Sequence, residues 1–372
     1  MREIENIEDF KELCSSCSEI TDTAFQGVDL KGNEQLFEGK KVSGCLFMGC
    51  AMSPALRDAL VNSGNLVFPE MDVPFATYPS SLYTRETIYN NFDPARPETY
   101  SETRDRIIYD HYMATGKNAP DRIYESLARR LHDHGITDAL MDILDAVDER
   151  RVVAVMGGHG MARGKGDYKK ISSIAKTLSE KGFFLLSGGG PGAMEATHLG
   201  AWFNGYSMDE LDEAISILSE APLYSDRLWL SKAFEVIEKY PRKKDLNYDI
   251  GIPTWLYGHE PPTPFASRIA KYFANSVREE GLLALARGGI IYTPGSAGTI
   301  QEIFQDFTQN FYNTYGIVSP MIFYNRDFWI NEKPVYPLVK KIASDKECDS
   351  LISITDDEEE IVRLLLDFSS GR

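Results

Sequence analysis

The sequence TPGSAGTIQEIFQD, residues 293–306, joins a predicted buried strand to a predicted helix through a run of small side chains. Upstream, GGIIY at residues 288–292 is short, apolar and rich in β-branched and aromatic side chains, which is typical of a strand covered on both faces of a parallel sheet. Downstream, residues 300–312 place Ile303 and Phe307 on one helical stripe. The segment therefore predicts a strand, a tight loop and a helix.

The loop itself is suited to bind an anion. Its small side chains leave the start of the helix open, and they belong to Gly295, Ser296, Ala297, Gly298 and Thr299. The first-turn N–H groups of a helix have no partner within it and carry the positive end of its dipole, so they favour a phosphate. Glu302 falls within the first helical turn, beside such an anion, where a carboxylate can take part in chemistry.

These residues resemble the Pro-Gly-Gly-x-Gly-Thr-x-x-Glu signature of the LONELY GUY (LOG) family. The matching residues are Pro294, Gly295, Gly298, Thr299 and Glu302, and Ser296 stands in place of the second glycine. The resemblance covers roughly the last 220 residues, a span of one domain. It implies a phosphoribohydrolase that splits a nucleoside 5′-monophosphate into free base and ribose 5-phosphate, needs no metal or organic cofactor, and forms a homodimer or larger even-numbered assembly.

Composition predicts a globular chain of two domains. The chain has 372 residues, of which 43% are hydrophobic and 26% charged. Its net charge of −17 argues against binding to a nucleic-acid backbone or an anionic membrane. No run of about 18 apolar residues is present, so the sequence predicts no membrane span and we expect a cytoplasmic protein. By pattern, residues 1–148 form a smaller α/β domain of unknown role and residues 149–372 a second domain.

The second domain repeats the order strand, glycine loop, helix. VVAVM at residues 152–156 precedes a loop that contains Gly158, and FFLLS at residues 183–187 precedes GGGPGAMEA. Apolar strands that alternate with helices predict a doubly wound, Rossmann-like parallel sheet, whose ligands bind at the carboxyl ends of the strands. The loop after residue 187 supplies further candidate substrate-binding residues: Gly189, Gly190, Gly192, Met194 and Glu195.

Two familiar nucleotide motifs are alternatives for these loops. The first loop approximates a Walker A motif, but His159 and Gly166 occupy positions that require glycine and Ser/Thr. The second loop satisfies G-x-G-x-x-A, with acidic residues about 20 positions later, as a dinucleotide fingerprint does. Ser207 and Glu210 also form an S-x-x-E capping box, which explains the acidic residues by the start of a helix.

An arginine is expected beside Glu302. We predict a strand at residues 252–256, with His259 and Glu260 following its carboxyl end, and a helix at residues 266–286. The LOG family carries an arginine thought to act with the signature glutamate, and Arg278 lies close to the matching position. Arg268 and Arg287 are the alternatives.

The roles of this pair follow from the chemistry of a glycosidic bond. Its hydrolysis passes through an oxocarbenium-like sugar, so Glu302 would act on water or as a nucleophile. Arg278 would orient Glu302 or stabilise charge. A pyridoxal-phosphate decarboxylase is not indicated, because none of the six histidines precedes a lysine. A non-catalytic nucleotide sensor on the same fold is the alternative function.

Residues 1–148 are less informative. They contain strand-like runs at 41–48 and 65–68, an irregular segment at 69–97 and a helical pattern at 121–144. Cys14, Cys17, Cys45 and Cys50 could be drawn as a zinc site, but GCLFMGC reads as a buried strand and favours reduced thiols. We expect the three histidines of this region on the solvated surface: His111, His132 and His134.

The homodimer prediction has a reason of its own in the sequence. Apolar residues in the predicted 266–286 helix, including Ile269, Phe273 and Val277, cover more than one stripe. The aromatic residues after Glu302, among them Phe311 and Tyr312, extend this surface. Clustered aromatics that a monomer would expose commonly mark an interface.

Overall fold

The computed structural model describes residues 1–243 and 249–371, which form two compact units. The N-terminal unit comprises Met1–Leu82 and His111–Asp142, and the C-terminal unit comprises Tyr83–Asp110 and Ile143–Arg372. Residues 83–110 thus group with the C-terminal unit. The division into domains at residue 148 stays a prediction.

The N-terminal unit is built on a parallel sheet with the strand order β1-β3-β5-β6, beside a parallel pair β2-β4. The strands are β1 Arg2–Ile4, β2 Glu19–Thr21, β3 Thr23–Gln26, β4 Lys41–Ser43, β5 Leu46–Met48 and β6 Leu66–Phe68. The helices before residue 149 are α1 Ile7–Ser16, α2 Pro54–Asn62, α3 Arg85–Ile88, α4 Arg104–Ala114 and α5 Ile123–Leu144. Of these, α3 and most of α4 belong to the C-terminal unit. The predicted run at 41–48 is therefore two strands, separated where Gly44 turns with a φ of +67°.

The core of the N-terminal unit is aromatic. Phe25 stacks on Phe47 at a centroid distance of 4.6 Å, and Phe10 packs 5.0 Å from Phe37. All cysteines are free thiols. The Cys45 Sγ donates to the carbonyl of Ile20 and the Cys50 Sγ to the carbonyl of Phe25. In residues 1–243 and 249–371, no cluster of His, Cys, Asp and Glu side chains could hold a metal ion.

The surface prediction for the histidines is wrong for His132. Its ring is fully buried, with Nδ1 3.1 Å from the Asp133 carboxylate. His111 is partly buried and its Nε2 lies 2.9 Å from Glu125, whereas His134 is exposed as expected. The buried carboxylates supply the hydrogen-bond partners that allow polar rings to leave water.

The C-terminal unit contains a seven-stranded, all-parallel sheet with the order β10-β9-β8-β7-β11-β12-β13. Its strands are β7 Val152–Met156, β8 Phe184–Ser187, β9 Asp249–Gly251, β10 Arg268–Ile269, β11 Gly289–Tyr292, β12 Met321–Tyr324 and β13 Ile352–Thr355. Its later helices are α6 Gly166–Glu180, α7 Ala193–Trp202, α8 Met208–Leu218, α9 Trp229–Lys239, α10 Asn275–Leu285, α11 Ala297–Phe311, α12 Val335–Ala343 and α13 Glu358–Ser369.

This architecture confirms the predicted doubly wound α/β fold. Every residue of β7, β8 and β11 is buried, as continuous apolar runs require. Val153, Leu185 and Ile291 pack in one cluster with apolar residues of α6 and α7. Burial of each such side chain contributes about 1.5–3 kcal/mol relative to leaving it exposed. The expected Ser207–Glu210 capping box is also present at the start of α8.

The strand order reverses direction at β7. Strands β8, β9 and β10 extend the sheet on one side of β7, and β11, β12 and β13 extend it on the other. A crevice therefore opens beyond the carboxyl ends of β7 and β11, which is where open α/β sheets bind ligands.

Two predicted elements between residues 252 and 286 are wrong. The strand lies at β9, before residue 252, because Pro253 cannot donate to a ladder and the Thr254 side chain caps the 3₁₀ turn Trp255–Tyr257. The helix begins at Asn275 rather than Ala266. Residues 268–269 instead form β10, whose Ile269 exchanges backbone hydrogen bonds with Tyr83.

No helix in the described part of the chain is both long and apolar enough to cross a membrane.

Candidate functional site

Backbone hydrogen bonds join the loops that follow β7 and β11. After β7, the Gly158 N–H donates to the carbonyl of Pro294 at 3.1 Å. After β11, the Thr293 N–H donates to the carbonyl of Met156 at 2.8 Å. A Cβ on Gly157 would clash with the Thr293 hydroxyl, so this close approach requires glycine. The sheet thus brings the first and third predicted glycine loops to one place.

The third loop presents the start of α11 to solvent. Helix α11 begins at Ala297, earlier than predicted, so Gly298 and Thr299 belong to its first turn. Ser296, Ala297 and Gly298 are exposed, and their small side chains leave the first-turn N–H groups accessible. A Cβ on Gly295 would clash with the Thr299 side chain. The Gly295 carbonyl accepts from Lys333 Nζ at 2.6 Å, which adds a cation beside the loop.

Glu302 faces the cleft from the same helix and is largely shielded from water, with 14% of its side chain exposed. Burial raises its pKa to about 7, against the opposing effect of the Arg278 guanidinium. The Arg278 Nη1 lies 3.9 Å from Glu302 Oε1, beyond hydrogen-bond distance. A carboxyl with a pKa of about 7 can accept and donate a proton near neutral pH, as suits a proton-transfer group.

Arg278 lies in the first turn of α10, and two backbone carbonyls from other segments hold its guanidinium. Its Nε donates to the carbonyl of Ile252 at 2.6 Å, and its Nη2 lies 3.4 Å from the carbonyl of Gly188. These carbonyls follow β9 and β8. The structure therefore places Arg278, rather than Arg268 on β10 or Arg287 beyond α10, beside Glu302.

A buried Ser–His–Asp network fixes the second glycine loop. Ser187 Oγ accepts from the Gly189 N–H at 3.0 Å and lies 2.7 Å from His198 Nε2. His198 Nδ1 lies 2.8 Å from Asp249. Burial by itself would raise the pKa of Asp249, but the Arg242 guanidinium and hydrogen bonds from His198 and Ser267 hold it well below its usual range. These side chains are fully buried, so the network supports the loop and is not a nucleophile site.

Of the residues predicted in this loop, Gly190 and Met194 line the cleft, together with Gly188. Gly192 has a φ of +72° and caps α7 so close to the carbonyl of Gly158 that a Cβ would clash with it. Gly189 and Gly192 therefore shape the loop and lie outside the cleft lining.

Glu195 is the predicted substrate-binding residue that the structure places elsewhere. Its side chain is fully buried, and its Oε2 accepts from Arg163 Nε at 2.8 Å and from the Tyr168 hydroxyl at 3.0 Å. Arg163, the cation that pairs with Glu195, lies 32 positions earlier in the chain. Glu195 therefore joins α6 to α7 and does not face the cleft.

The cleft has a volume of about 400 Å³. The predicted site residues that line it are Gly158, Gly190, Met194, Arg278, Ser296, Gly298, Thr299 and Glu302. Gly295 lines a neighbouring cavity of about 670 Å³, which shares Gly158, His159 and Ser296 with the cleft. Ala297 lies outside both linings.

Glu260 is a second carboxyl that lines the cleft, and it is not among the predicted catalytic or substrate-binding residues. Its Oε1 lies 3.3 Å from His159 Nδ1 and 3.7 Å from His259 Nε2, and 11% of the side chain is exposed. Burial raises its pKa, against the opposing effects of His159, His259, Arg278 and Lys271. The sequence predicts Glu260 at this crevice from its position after a strand end, and the structure places it there although the strand ends earlier, at Gly251.

An aromatic side pocket of about 260 Å³ is lined by His259 and Pro261, the residues on either side of Glu260 in the chain. Tyr100, Tyr224 and Trp229 line it, and His259 lines both the side pocket and the cleft. The His159 ring contacts Tyr224 edge-on at 5.9 Å between centroids. The two histidines thus stand where the cleft meets the side pocket.

Comparisons with known proteins give a limited result. No protein-family model and no curated protein matches the sequence. Among solved structures, a Moco carrier protein from Chlamydomonas reinhardtii is 12% identical, with a TM-score of 0.37 over 59% of this chain and 98% of its own. A molybdenum cofactor binding protein from the phototrophic bacterium Rippkaea orientalis is 16% identical, with a TM-score of 0.35 over 58% of this chain and 95% of its own. The Rossmann-like character of the C-terminal unit accordingly stands on its own strand order and glycine loops.

Proposed function

We propose that the protein hydrolyses the N-glycosidic bond of nucleoside 5′-monophosphates, with free base and ribose 5-phosphate as products. The observation that carries the proposal is the position of Glu302. It is a shielded carboxyl with a pKa of about 7, in the cleft that also contains the accessible start of α11 and the Arg278 guanidinium.

The 5′-phosphate binds at the start of α11 in this proposal. The exposed backbone from Ser296 to Gly298 offers N–H donors, and the helix dipole favours a dianion there. Thr299 adds a hydroxyl at the cleft wall. Since the chain carries a net charge of −17, this local arrangement matters more than the overall field in attracting an anion.

Glu302 acts next to the phosphate, at C1′ of the ribose. The developing oxocarbenium ion is stabilised by the nearby carboxylate, which also takes the proton of the attacking water. A pKa of about 7 favours this role, because the group exchanges protons readily at neutral pH.

Arg278 has its guanidinium orientation fixed by the carbonyls of Ile252 and Gly188. It thereby keeps a positive charge 3.9 Å from Glu302, which favours the ionised form of the carboxyl. The same charge can attract the phosphate or polar groups of the ribose.

The experiment that tests the proposal is incubation with a panel of nucleoside 5′-monophosphates, followed by chromatography for released base, with the corresponding nucleosides as controls. Release from at least one monophosphate and little from its nucleoside is the expected result. Binding without release from any of them would favour the nucleotide sensor instead.

A further inference from the structure

We infer that Glu260, backed by His159 and His259, is the acid that protonates the departing base. The inference rests on the proposed function and assigns the second carboxyl of the same cleft. Glu302 and Glu260 line this cleft together, and each lies in a different electrostatic setting.

The setting of Glu260 differs from that of Glu302 in its nearest neighbours. Glu302 has the permanently charged Arg278 at 3.9 Å. Glu260 has two imidazole rings at 3.3 and 3.7 Å. The remaining cations that face Glu260 are Arg278 and the buried Lys271, which is already paired with Asp105. Of the two carboxyls, Glu302 thus lies on the helix of the proposed phosphate site, and Glu260 lies beside the histidines at the side pocket.

The histidines connect this shielded carboxyl to solvent. The side chains of His159 and His259 are 50% and 56% exposed, whereas that of Glu260 is 11% exposed. A proton given up by Glu260 can therefore be replaced from water through either ring.

The base is expected on the same side as Glu260. His259 lines the aromatic side pocket as well as the cleft, and Tyr224 of that pocket contacts His159. Aromatic walls suit the flat face of a nucleobase. A base that enters the side pocket from the cleft would pass the histidine pair and lie within reach of the Glu260 carboxyl.

The proton and electron balance is simple. As the bond between C1′ and the base nitrogen breaks, its electron pair stays on the base, and the Glu260 proton moves to a ring nitrogen or carbonyl oxygen of the base. Water adds to C1′ and loses its proton to Glu302. Glu260 then regains a proton from solvent and Glu302 releases one, so the net reaction is nucleotide plus water to base plus ribose 5-phosphate.

The test compares bases that need a proton to leave with bases that do not. A purine 5′-monophosphate is paired with its N7-methylated form, and a pyrimidine 5′-monophosphate with nicotinamide mononucleotide. The methylated purine and nicotinamide are cationic in the nucleotide and leave as neutral molecules. For Glu260→Gln, kcat/KM for the ordinary nucleotides should fall by about a hundredfold or more, as is usual on loss of a general acid. For the cationic nucleotides it should change by less than about tenfold.

The cationic substrates also serve as the folding control, because their turnover requires an intact cleft. Glu238→Gln, an exposed change on α9, is the matched control and should leave both substrate types unaffected. An equal loss for both types in Glu260→Gln, or no loss for either, would overturn the acid role. If the wild-type protein releases base from none of the nucleotides, the proposed function itself fails and the role of Glu260 fails with it.

Discussion

At the residue scale, the proposed chemistry depends on the environment of Glu302. A carboxyl at the start of an exposed helix would ordinarily be solvated and ionised, but this one is shielded and its pKa is about 7. Arg278 offsets part of this shift without forming a hydrogen bond, so the carboxylate oxygens keep their capacity to bind a water or a sugar.

Glu302→Gln keeps the shape of the side chain and removes its charge. Since the carboxylate is proposed to act on the transition state, turnover should fall by about a hundredfold or more while nucleotide affinity persists. Base release gives kcat, and calorimetry gives the dissociation constant. Glu280→Gln, an exposed change on α10, is the matched control. Unchanged turnover in Glu302→Gln would remove Glu302 from the mechanism.

The pH dependence of kcat/KM should show the titration of Glu302. Activity requires ionised Glu302, so kcat/KM should rise with pH along a limb with an apparent pKa near 7. In Glu302→Gln the residual activity should lack this limb. A wild-type profile that is flat from pH 5 to about 8 would contradict the raised pKa.

The positions of site residues could be predicted where a local motif supplies the signal, whereas their roles stay predictions. Glu302 and Arg278 were identified from the sequence, and the structure brings them together. Glu195 was misplaced because the direction of its side chain depends on Arg163 and Tyr168, which belong to an earlier segment. The His198–Asp249 contact could not be predicted, since only the pairing of β8 with β9 brings that part of the chain close.

At the scale of elements, helix α11 combines the proposed phosphate site, Glu302 and a second buried carboxyl. Asp306 lies one turn after Glu302, and its Oδ2 accepts from the Tyr292 hydroxyl at 2.6 Å. Burial raises its pKa to about 7, and the hydrogen bond from Tyr292 only partly opposes this. The folded protein therefore holds a proton on Asp306 at a pH where an unfolded chain has lost it.

The sign of the resulting pH effect follows from linkage. Between the ordinary carboxyl pKa of about 4 and the folded value, the folded state binds more protons, so the free energy of unfolding decreases as pH rises. Asp306→Asn mimics the protonated form and removes this dependence. From pH 5 to about 8, the melting temperature of the wild type should fall relative to that of Asp306→Asn. Parallel curves for the two proteins would contradict the raised pKa.

The start of α11 gives a prediction about substrates. A nucleoside lacks the phosphate and loses at least two charge-assisted hydrogen bonds of about 1.5 kcal/mol each, so its kcat/KM should be about a hundredfold lower. Gly295→Ala forces the loop against Thr299 and should reduce this preference. Gly281→Ala on α10, where a Cβ meets open space, is the control and should stabilise the helix by up to about 1 kcal/mol. Equal kcat/KM for nucleoside and monophosphate would exclude the phosphate role.

Element prediction succeeded where the local pattern has one structural solution. The apolar runs of β7, β8 and β11, each followed by glycines, form buried strands as expected. It failed between residues 252 and 274, where the spacing of Ile269, Phe273 and Val277 imitates a helical stripe. Ile269 is instead buried on β10 beside β9, and Phe273 stacks on Trp255 at 4.5 Å. Tertiary packing outweighs local periodicity in this segment.

At the scale of the whole molecule, the homodimer remains a prediction, and fewer exposed apolar residues support it than the sequence suggested. Ile269 and Phe273 are buried, so they no longer support an exposed apolar face. Val277 and Tyr312 remain 41% and 72% exposed. Light scattering at micromolar concentration should give an even multiple of the 41.8 kDa chain mass. A mass of one chain with full activity would exclude a dimer required for function.

The strand order of the C-terminal unit determines where chemistry is possible. Its reversal at β7 brings together loops that are 137 positions apart in the chain, and the Thr293 Oγ1 donates to the carbonyl of Met156 at 3.2 Å. The central claim is that the resulting cleft cleaves nucleotides at the glycosidic bond.

The stoichiometry of the products tests whether the cleft cleaves nucleotides at the glycosidic bond. The wild-type protein is incubated with the best nucleoside 5′-monophosphate of the panel, and base, ribose 5-phosphate and inorganic phosphate are quantified over time, with Glu302→Gln in parallel. We expect base and ribose 5-phosphate in equal amounts, no release of inorganic phosphate, and little product from Glu302→Gln. Release of inorganic phosphate with intact nucleoside, or base release that is the same in Glu302→Gln, would contradict it.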